Sequence, residues 1–130
     1  MDIMDIREYC LSLPMTEETT PFDLTTLVYK VGGKMFALAD LEGGPWVNLK
    51  CEPQKAVELR EQYDDITPGW HMNKKHWNTV NFGGDLPAVF VRRLIDESYL
   101  LVVNGLPKDI RAEVLYAYEK FRTLQSARNP

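Results

Sequence analysis

The chain has 130 residues, 45% of them hydrophobic and 26% charged, with a formal net charge of -4 and a sequence pI near 5.2. That size and mix fit a single soluble domain spanning residues 1–130 and exclude a disordered tail, a collagen-like fibre and a disulfide-stapled mini-domain. The longest purely apolar run, residues 100–103, is far short of the ~20 residues of a membrane span, and residues 1–12 carry Asp2, Asp5, Arg7 and Glu8 in place of a signal-peptide stretch.

Residues 2–13 predict an amphipathic helix, because Ile3, Ile6, Tyr9, Cys10 and Leu13 recur at helical spacing and Pro14 stops it. Residues 14–23, rich in Thr and Glu, read as a loop. Residues 24–31 alternate, with Leu27, Tyr29 and Val31 on one side. Gly32-Gly33 follows, and residues 34–40 complete a hairpin, since a two-residue turn between strands needs positive φ. A second glycine pair, Gly43-Gly44, leads into a third strand over 46–51. Pro53 suits the first turn of a helix running to about residue 63. Residues 66–71 and 77–82 predict two further strands joined by a polar turn through Lys74-Lys75. Asp85 is placed to cap a helix over 87–103, which Asn104-Gly105 closes. Pro107 opens a last helical stretch with Ile110, Val114, Ala117, Phe121 and Leu124 on one face, and residues 126–130 are expected to fray. Hairpins dominate this order. The expected fold is therefore a two-layer α+β domain, order α-β-β-β-α-β-β-α-α, whose five-stranded, mostly antiparallel sheet has helices on one face.

Charge is uneven along the chain. Residues 1–66 hold 6 Lys and Arg against 13 Asp and Glu, and residues 67–130 hold 9 against 6, so a net -7 half precedes a net +3 half. The basic half can present one positive surface to phosphate, or both halves can be ordinary solvated faces.

Most motifs that would carry catalysis are missing. Gly32-Gly33-Lys34 lacks the spacing and the Lys-Ser/Thr of a phosphate-binding loop, and its flanking strands make it a turn. Cys10 and Cys51 stand apart from any cysteine-nucleophile signature and read as structural thiols, which places the protein in a reducing, cytoplasmic setting. His71 and His76 with Asp64 or Asp65 lack metal-ligand spacing, and the nearby lysines disfavour a cation, so neither metal nor cofactor is expected. Glu17-Glu18, Asp64-Asp65 and Asp96-Glu97 look like solvated charge, because adjacency in sequence does not make two carboxylates converge on a substrate.

Residues 68–77, Pro-Gly-Trp-His-Met-Asn-Lys-Lys-His-Trp, are the least ordinary stretch. Cations interleaved with aromatics suit nucleic acid, where lysines neutralise phosphates and rings stack. Equally, Trp70 and Trp77 can anchor the connection onto the sheet while the lysines face water. With the predicted registers, Trp46, Asn48, Lys50, Trp77, Thr79 and Asn81 share the sheet face opposite the helices, which leaves that face open to a partner.

These segments carry a resemblance. Gly-Gly-Lys-Met-Phe-Ala at 32–37, Val-Asn-Leu-Lys-Cys at 47–51, Pro-Gly-Trp-His-Met-Asn-Lys-Lys-His-Trp-Asn-Thr-Val at 68–80 and Ile-Asp-Glu-Ser-Tyr at 95–99 resemble the MmcQ/YjbR family of small bacterial proteins, over residues 1 to about 120. The resemblance implies a compact α+β fold with a five-stranded antiparallel sheet. It also implies DNA binding, by likeness to the double-wing domain of a phage transcription activator, and brings no catalytic residues. The resulting expectation is a non-enzymatic double-stranded-DNA-binding protein, with a regulatory role among its options. Lys74, Lys75, Lys50 and Lys34 would meet phosphate, and Asn73, His76, Trp70 and Trp77 would supply polar contacts and stacking. The alternative is a protein- or peptide-binding module, by self-association or by docking a segment on a sheet edge, since the layout is also similar to type III secretion chaperones.

Overall fold

A computed structural model describes residues 1–128 of the chain. Helix α1 (Ile3–Ser12) starts at a capping box in which Asp2 and Asp5 exchange side-chain-to-backbone hydrogen bonds. Strands β1 (Thr16–Thr19), β2 (Thr26–Val31), β3 (Lys34–Asp40) and β4 (Trp46–Lys50) follow, then α2 (Pro53–Gln62), β5 (Ile66–Pro68), β6 (Trp77–Asn81), α3 (Ala88–Asn104) and α4 (Lys108–Arg128). The sheet order is β1-β2-β3-β4-β6-β5, and every neighbouring pair is antiparallel.

The sheet has six strands where five were expected. The extra one, β1, lies in the segment read as a loop. Its sequence, Thr-Glu-Glu-Thr, has no apolar alternation, and it is a strand because it pairs along β2, with Glu18 opposite Tyr29. Glu18 accepts from the Tyr29 hydroxyl at 3.0 Å and from Arg7 Nε at 2.8 Å, which ties β1 to α1. The strand predicted over 66–71 ends at Pro68, because residues 69–76 turn away from the sheet. Helix α3 has Pro87 at its N-cap with no side-chain cap, and the Asp85 backbone N–H instead donates to Asp65. Gly105 ends α3 in a right-handed conformation, φ -92°, so no left-handed cap is used there. Helix α4 continues through Arg128, so residues 126–128 are helical, and the rest of the expected frayed tail lies outside the described residues.

One face of the sheet carries the core. Leu27, Tyr29, Ala37, Ala39, Val47, Leu49 and Val80 pack against Ile6 and Cys10 of α1 and Val91, Ile95, Tyr99 and Val102 of α3. Val114 of α4 closes the same cluster. Tyr99 stands edge-on to Phe36, with ring centroids 5.3 Å apart, and donates to the Pro14 carbonyl at 2.7 Å. The Gly32-Gly33 turn adopts φ values of 59° and 79°, the left-handed geometry that a two-residue hairpin needs. A Cβ at Gly32 would sit 2.6 Å from Leu106, so the turn also packs against the α3–α4 connection.

A β-bulge sets the pairing of β2 with β3, where Tyr29 opposes Ala37 and Lys30 opposes Met35, leaving Phe36 extra. The Ser98 hydroxyl donates to the freed Phe36 carbonyl at 2.6 Å, and the hydroxyl oxygen accepts from the Lys50 N–H at 2.8 Å. Ser98 is fully buried, so no water replaces it. Ser98→Ala strands both backbone groups, and we expect a loss of about 2 kcal/mol, slightly softened by alanine's helix preference. Urea unfolding checks this, and a variant as stable as the parent rules out the bridge as a structural tie.

Candidate functional site

The second face of the sheet follows the predicted registers. Trp46 opposes Asn81, Asn48 opposes Thr79 and Lys50 opposes Trp77, so these six residues share the face away from the core. Val28 and Leu38 continue it, opposite one another and next to Asn48.

This face is not bare, because residues 69–76 fold back across it. The Trp70 N–H donates to Thr79 Oγ1 at 2.9 Å, and Asn48 Nδ2 donates to the Trp70 carbonyl at 3.0 Å. Thr79 in turn donates to Asn48 Oδ1 at 2.5 Å, which explains how Asn48, only 1% exposed, keeps its amide satisfied. Gly69 lets the chain pass close to β6, since a Cβ there would lie 2.7 Å from the Trp77 Cβ. Arg60 of α2 fastens the far side of the loop, donating to the carbonyls of Lys74 and Trp77 and to Asn78 Oδ1. His71 holds φ 58°, a left-handed conformation that is costly for a residue with a Cβ.

The residues singled out by sequence take different places. Trp70 is 56% exposed and meets Trp46 at right angles, with centroids 5.6 Å apart. Trp77 is 8% exposed, which corrects its expected stacking role: it lies under the loop and has no face free for a base. Asn73 and His76 shape the turn. Asn73 Oδ1 accepts from the Lys75 N–H, and its carbonyl accepts from the His76 and Trp77 N–H groups. The His76 carbonyl accepts from the Cys51 N–H at 2.8 Å. Lys74 turns inward, donating from Nζ to the Gly69 carbonyl at 3.0 Å.

The topology brings the lysines to one end of the sheet. Lys30 is next to last in β2, Lys34 opens β3, Lys50 ends β4, and Lys74 and Lys75 lie just before His76 and β6, whose first residue opposes Lys50. Lys34 and Lys75 are exposed and form no ion pair among the described residues, and Lys50 is half-buried. Two acids sit at this end as well. Glu17 opposes Lys30, and the Glu52 carboxylate is engaged by the first N–H groups of α2. The other end carries Asp23, Asp40, Glu42 and Asp65. The sheet is polarised along its strands, which no linear count of charge reveals.

The acids predicted to be solvated are partly structural. Asp96 of α3 is buried, and Glu18 and Asp65 are engaged by Arg7 and by the Asp85 N–H. Cys10 is buried, and that burial pushes its thiol well above the ordinary range, while Cys51 is half-buried and raised mainly by the same cause. Neither thiol is activated as a nucleophile. Among the described residues no three His, Cys, Asp or Glu side chains converge as a metal would require. No helix among them is long and apolar enough to cross a membrane.

Between residues 69–76 and the rest of the outer face lies a cavity of about 410 Å³ that sequence did not reveal. Its walls include Trp46, Trp70, His71, Leu38, Asp40 and Phe22. Trp46 was already placed on this face by alternation. Phe22 sits in a stretch with no periodic signal, and Asp40 reads in the sequence only as the end of a strand.

A family model described as YjbR matches residues 11–101. The chain is 44% identical over 103 residues to protein YbdF of Escherichia coli O157:H7, covering 78% of this chain and 84% of that one. It is 38% identical over 112 residues to protein YjbR of Escherichia coli K12, covering 85% and 95%. Among solved structures it is similar to Deinococcus radiodurans protein DR2400, with a TM-score of 0.80, 42% identity and 87% of each chain covered. A Pseudomonas syringae protein aligns with a TM-score of 0.69 at 27% identity, covering 78% of this chain and 99% of that one. With the family model spanning the sheet, the loop and most of α3, and relatives 38–44% identical, the chain belongs to the YjbR family.

Proposed function

We propose that the protein is a non-enzymatic, cytoplasmic DNA-binding module that meets phosphate with the lysine-bearing end of its sheet. The observation that supports this reading is the gathering of Lys34, Lys50 and Lys75 from separate elements at that end, without an ion pair among the described residues, on a chain whose net charge is negative. A negative chain gains little from non-specific attraction to DNA, so a local cluster has to supply the phosphate contacts. Lys74 contributes less than its neighbour, because its ammonium is already held by Gly69. Contacts of this kind position the protein without reading bases, so sequence preference would come from the loop.

Fluorescence anisotropy of a labelled duplex, titrated at several salt concentrations, tests the proposal. The expected result is an affinity that falls linearly in log–log form with salt. In Lys50→Glu/Lys75→Glu the affinity drops at least ~10-fold at low salt, and the slope shrinks by about 2, since each lost phosphate contact removes roughly 0.9. Equal affinity of parent and variant, or no binding by the parent at low salt, overturns the reading. Salt-insensitive capture of a protein or peptide by a parent that ignores DNA would favour the docking alternative.

A further inference from the structure

We infer that the outer-face cavity binds a small alkylated ammonium compound, held between Trp46 and Trp70 with Asp40 as its counter-charge. The inference does not rest on DNA binding, because none of the lysines proposed to meet phosphate lines the cavity.

Three features select this chemistry. The first is the aromatic corner. Trp46 and Trp70 meet at 89°, and Phe22 stands across the same cavity. Perpendicular rings offer a cation more than one electron-rich surface, the arrangement by which aromatic cages hold quaternary ammonium groups. Phe22 is 68% exposed, so an occupant would cover apolar surface that otherwise faces water.

Charge is the second feature. Among the described residues Asp40 is the only carboxylate lining the cavity and no Lys or Arg lines it, while the His71 ring packs on Trp70 with centroids 4.3 Å apart. Its Oδ1 accepts from the Glu42 N–H at 2.9 Å, whereas Oδ2 forms no hydrogen bond among the described residues. A carboxylate beside aromatic walls repels phosphates and carboxylates and attracts cations. A metal ion is a poor match, because a hard cation needs several oxygen ligands. The hydroxyl of Thr26, which also lines the cavity, is already committed to Asp23.

Shape is the third. The cavity is of ligand-binding size, with Leu38 at its base and the 69–76 loop as one wall. That wall is braced from both sides, by Asn48 and Thr79 beneath and by Arg60 behind, so the aromatic corner exists before any ligand arrives.

Choline and its uncharged isostere 3,3-dimethylbutan-1-ol separate a cation site from a merely greasy one. Each is titrated at constant ionic strength while the indole N–H resonances of an ¹⁵N-labelled sample are followed. Choline is expected to shift Trp46 and Trp70 saturably, in the ~1 mM range typical of so small a ligand, and to leave the covered Trp77 in place. The alcohol is expected to bind at least ~10-fold more weakly. Asp40→Asn keeps the Oδ1 acceptor for Glu42 and removes the charge, so it should weaken choline ~10-fold while leaving the alcohol unchanged. Trp70→Leu should weaken both, and thermal melts establish that both variants are folded. Equal binding of choline and alcohol overturns the inference, as does an Asp40→Asn variant with undiminished choline affinity. The absence of any saturable shift at Trp46 and Trp70 up to about 100 mM choline, roughly a hundredfold above that range, overturns it too.

Discussion

Asp96→Ala is expected to destabilise the protein by about 3–4 kcal/mol, on the order of one for each donor left without its acceptor. Asp96 is 5% exposed, and its carboxylate accepts from Tyr9 of α1 at 2.5 Å and from Tyr118 of α4 at 2.6 Å. Arg122 of α4 adds a longer contact at 3.4 Å. One side chain on α3 thus joins the first helix to the last, across 87 residues of sequence in the case of Tyr9. An open cavity of about 660 Å³ borders the same group, so water reaches the stranded hydroxyls and keeps the cost below that of a sealed site. Against a total stability of roughly 5–15 kcal/mol, the loss remains large. Asp96→Asn retains one acceptor oxygen and turns two N–H donors towards hydroxyls that can also accept, so it should recover part of the stability. Urea denaturation of the two variants beside Tyr9→Phe and Tyr118→Phe tests the clamp. An Asp96→Ala unfolding free energy within about 1 kcal/mol of the parent's would sink it.

The same aspartate shows where reading the chain in one dimension stops. Asp96-Glu97 looks like solvated charge because an acidic pair on a helix usually is. Yet Asp96 lies one helical turn before Tyr99, a residue that periodicity assigns to the core, and four residues after Arg92. Two residues three apart share a face, so Tyr99 already hints that Asp96 turns inward. What the chain order cannot supply is the partners, because Tyr9 and Tyr118 arrive from α1 and α4.

Strand alternation carried further. Trp46, Asn48 and Lys50 against Trp77, Thr79 and Asn81 share a face in the sequence reading and in the structure, because short strands with one buried side fix their own register. The same rule failed for β1, whose four polar residues are a strand only through pairing with β2. Trp77 marks a different limit. Sequence places it on the outer face correctly, but whether a neighbouring loop covers it depends on Gly69 and Arg60, neither of which carries an aromatic or apolar signal. The lysines were named from the sequence, but their gathering at one end of the sheet and the Trp46–Trp70 corner were illegible, since strand order, not sequence order, assembles them.

Raising the pH is expected to unfold the protein steeply above about pH 10. Tyr29 and Tyr99 are completely buried, and burial is the main cause that holds both phenols far above their ordinary value of 10.0. Hydrogen bonding to Glu18 adds to the effect at Tyr29, and the charge of Asp96 adds to it at Tyr99. Tyr9 and Tyr118 are raised by burial first and by their bonds to Asp96 second. The Cys10 thiol is raised from 9.0, again chiefly by burial. In each case the folded state keeps a proton that the unfolded chain releases. The stability these groups contribute is therefore complete below their unfolded values and is lost as pH climbs towards the folded ones. Each fully buried phenol lowers stability by up to about 1.4 kcal/mol per pH unit in that window, so Tyr29 and Tyr99 alone remove roughly 3. Urea midpoints measured from about pH 8 to about pH 11 should hold steady, begin to fall as the thiol enters, and drop steeply once tyrosine ionises. Tyrosinate absorbance of these four phenols should rise together with loss of structure instead of ahead of it. A midpoint that stays flat through this range contradicts the buried-phenol account. In Asp96→Asn the slope just above the tyrosine value should persist, because burial sets it. The fall should level off at a lower pH, because the negative charge no longer holds the Tyr9 and Tyr118 protons in place.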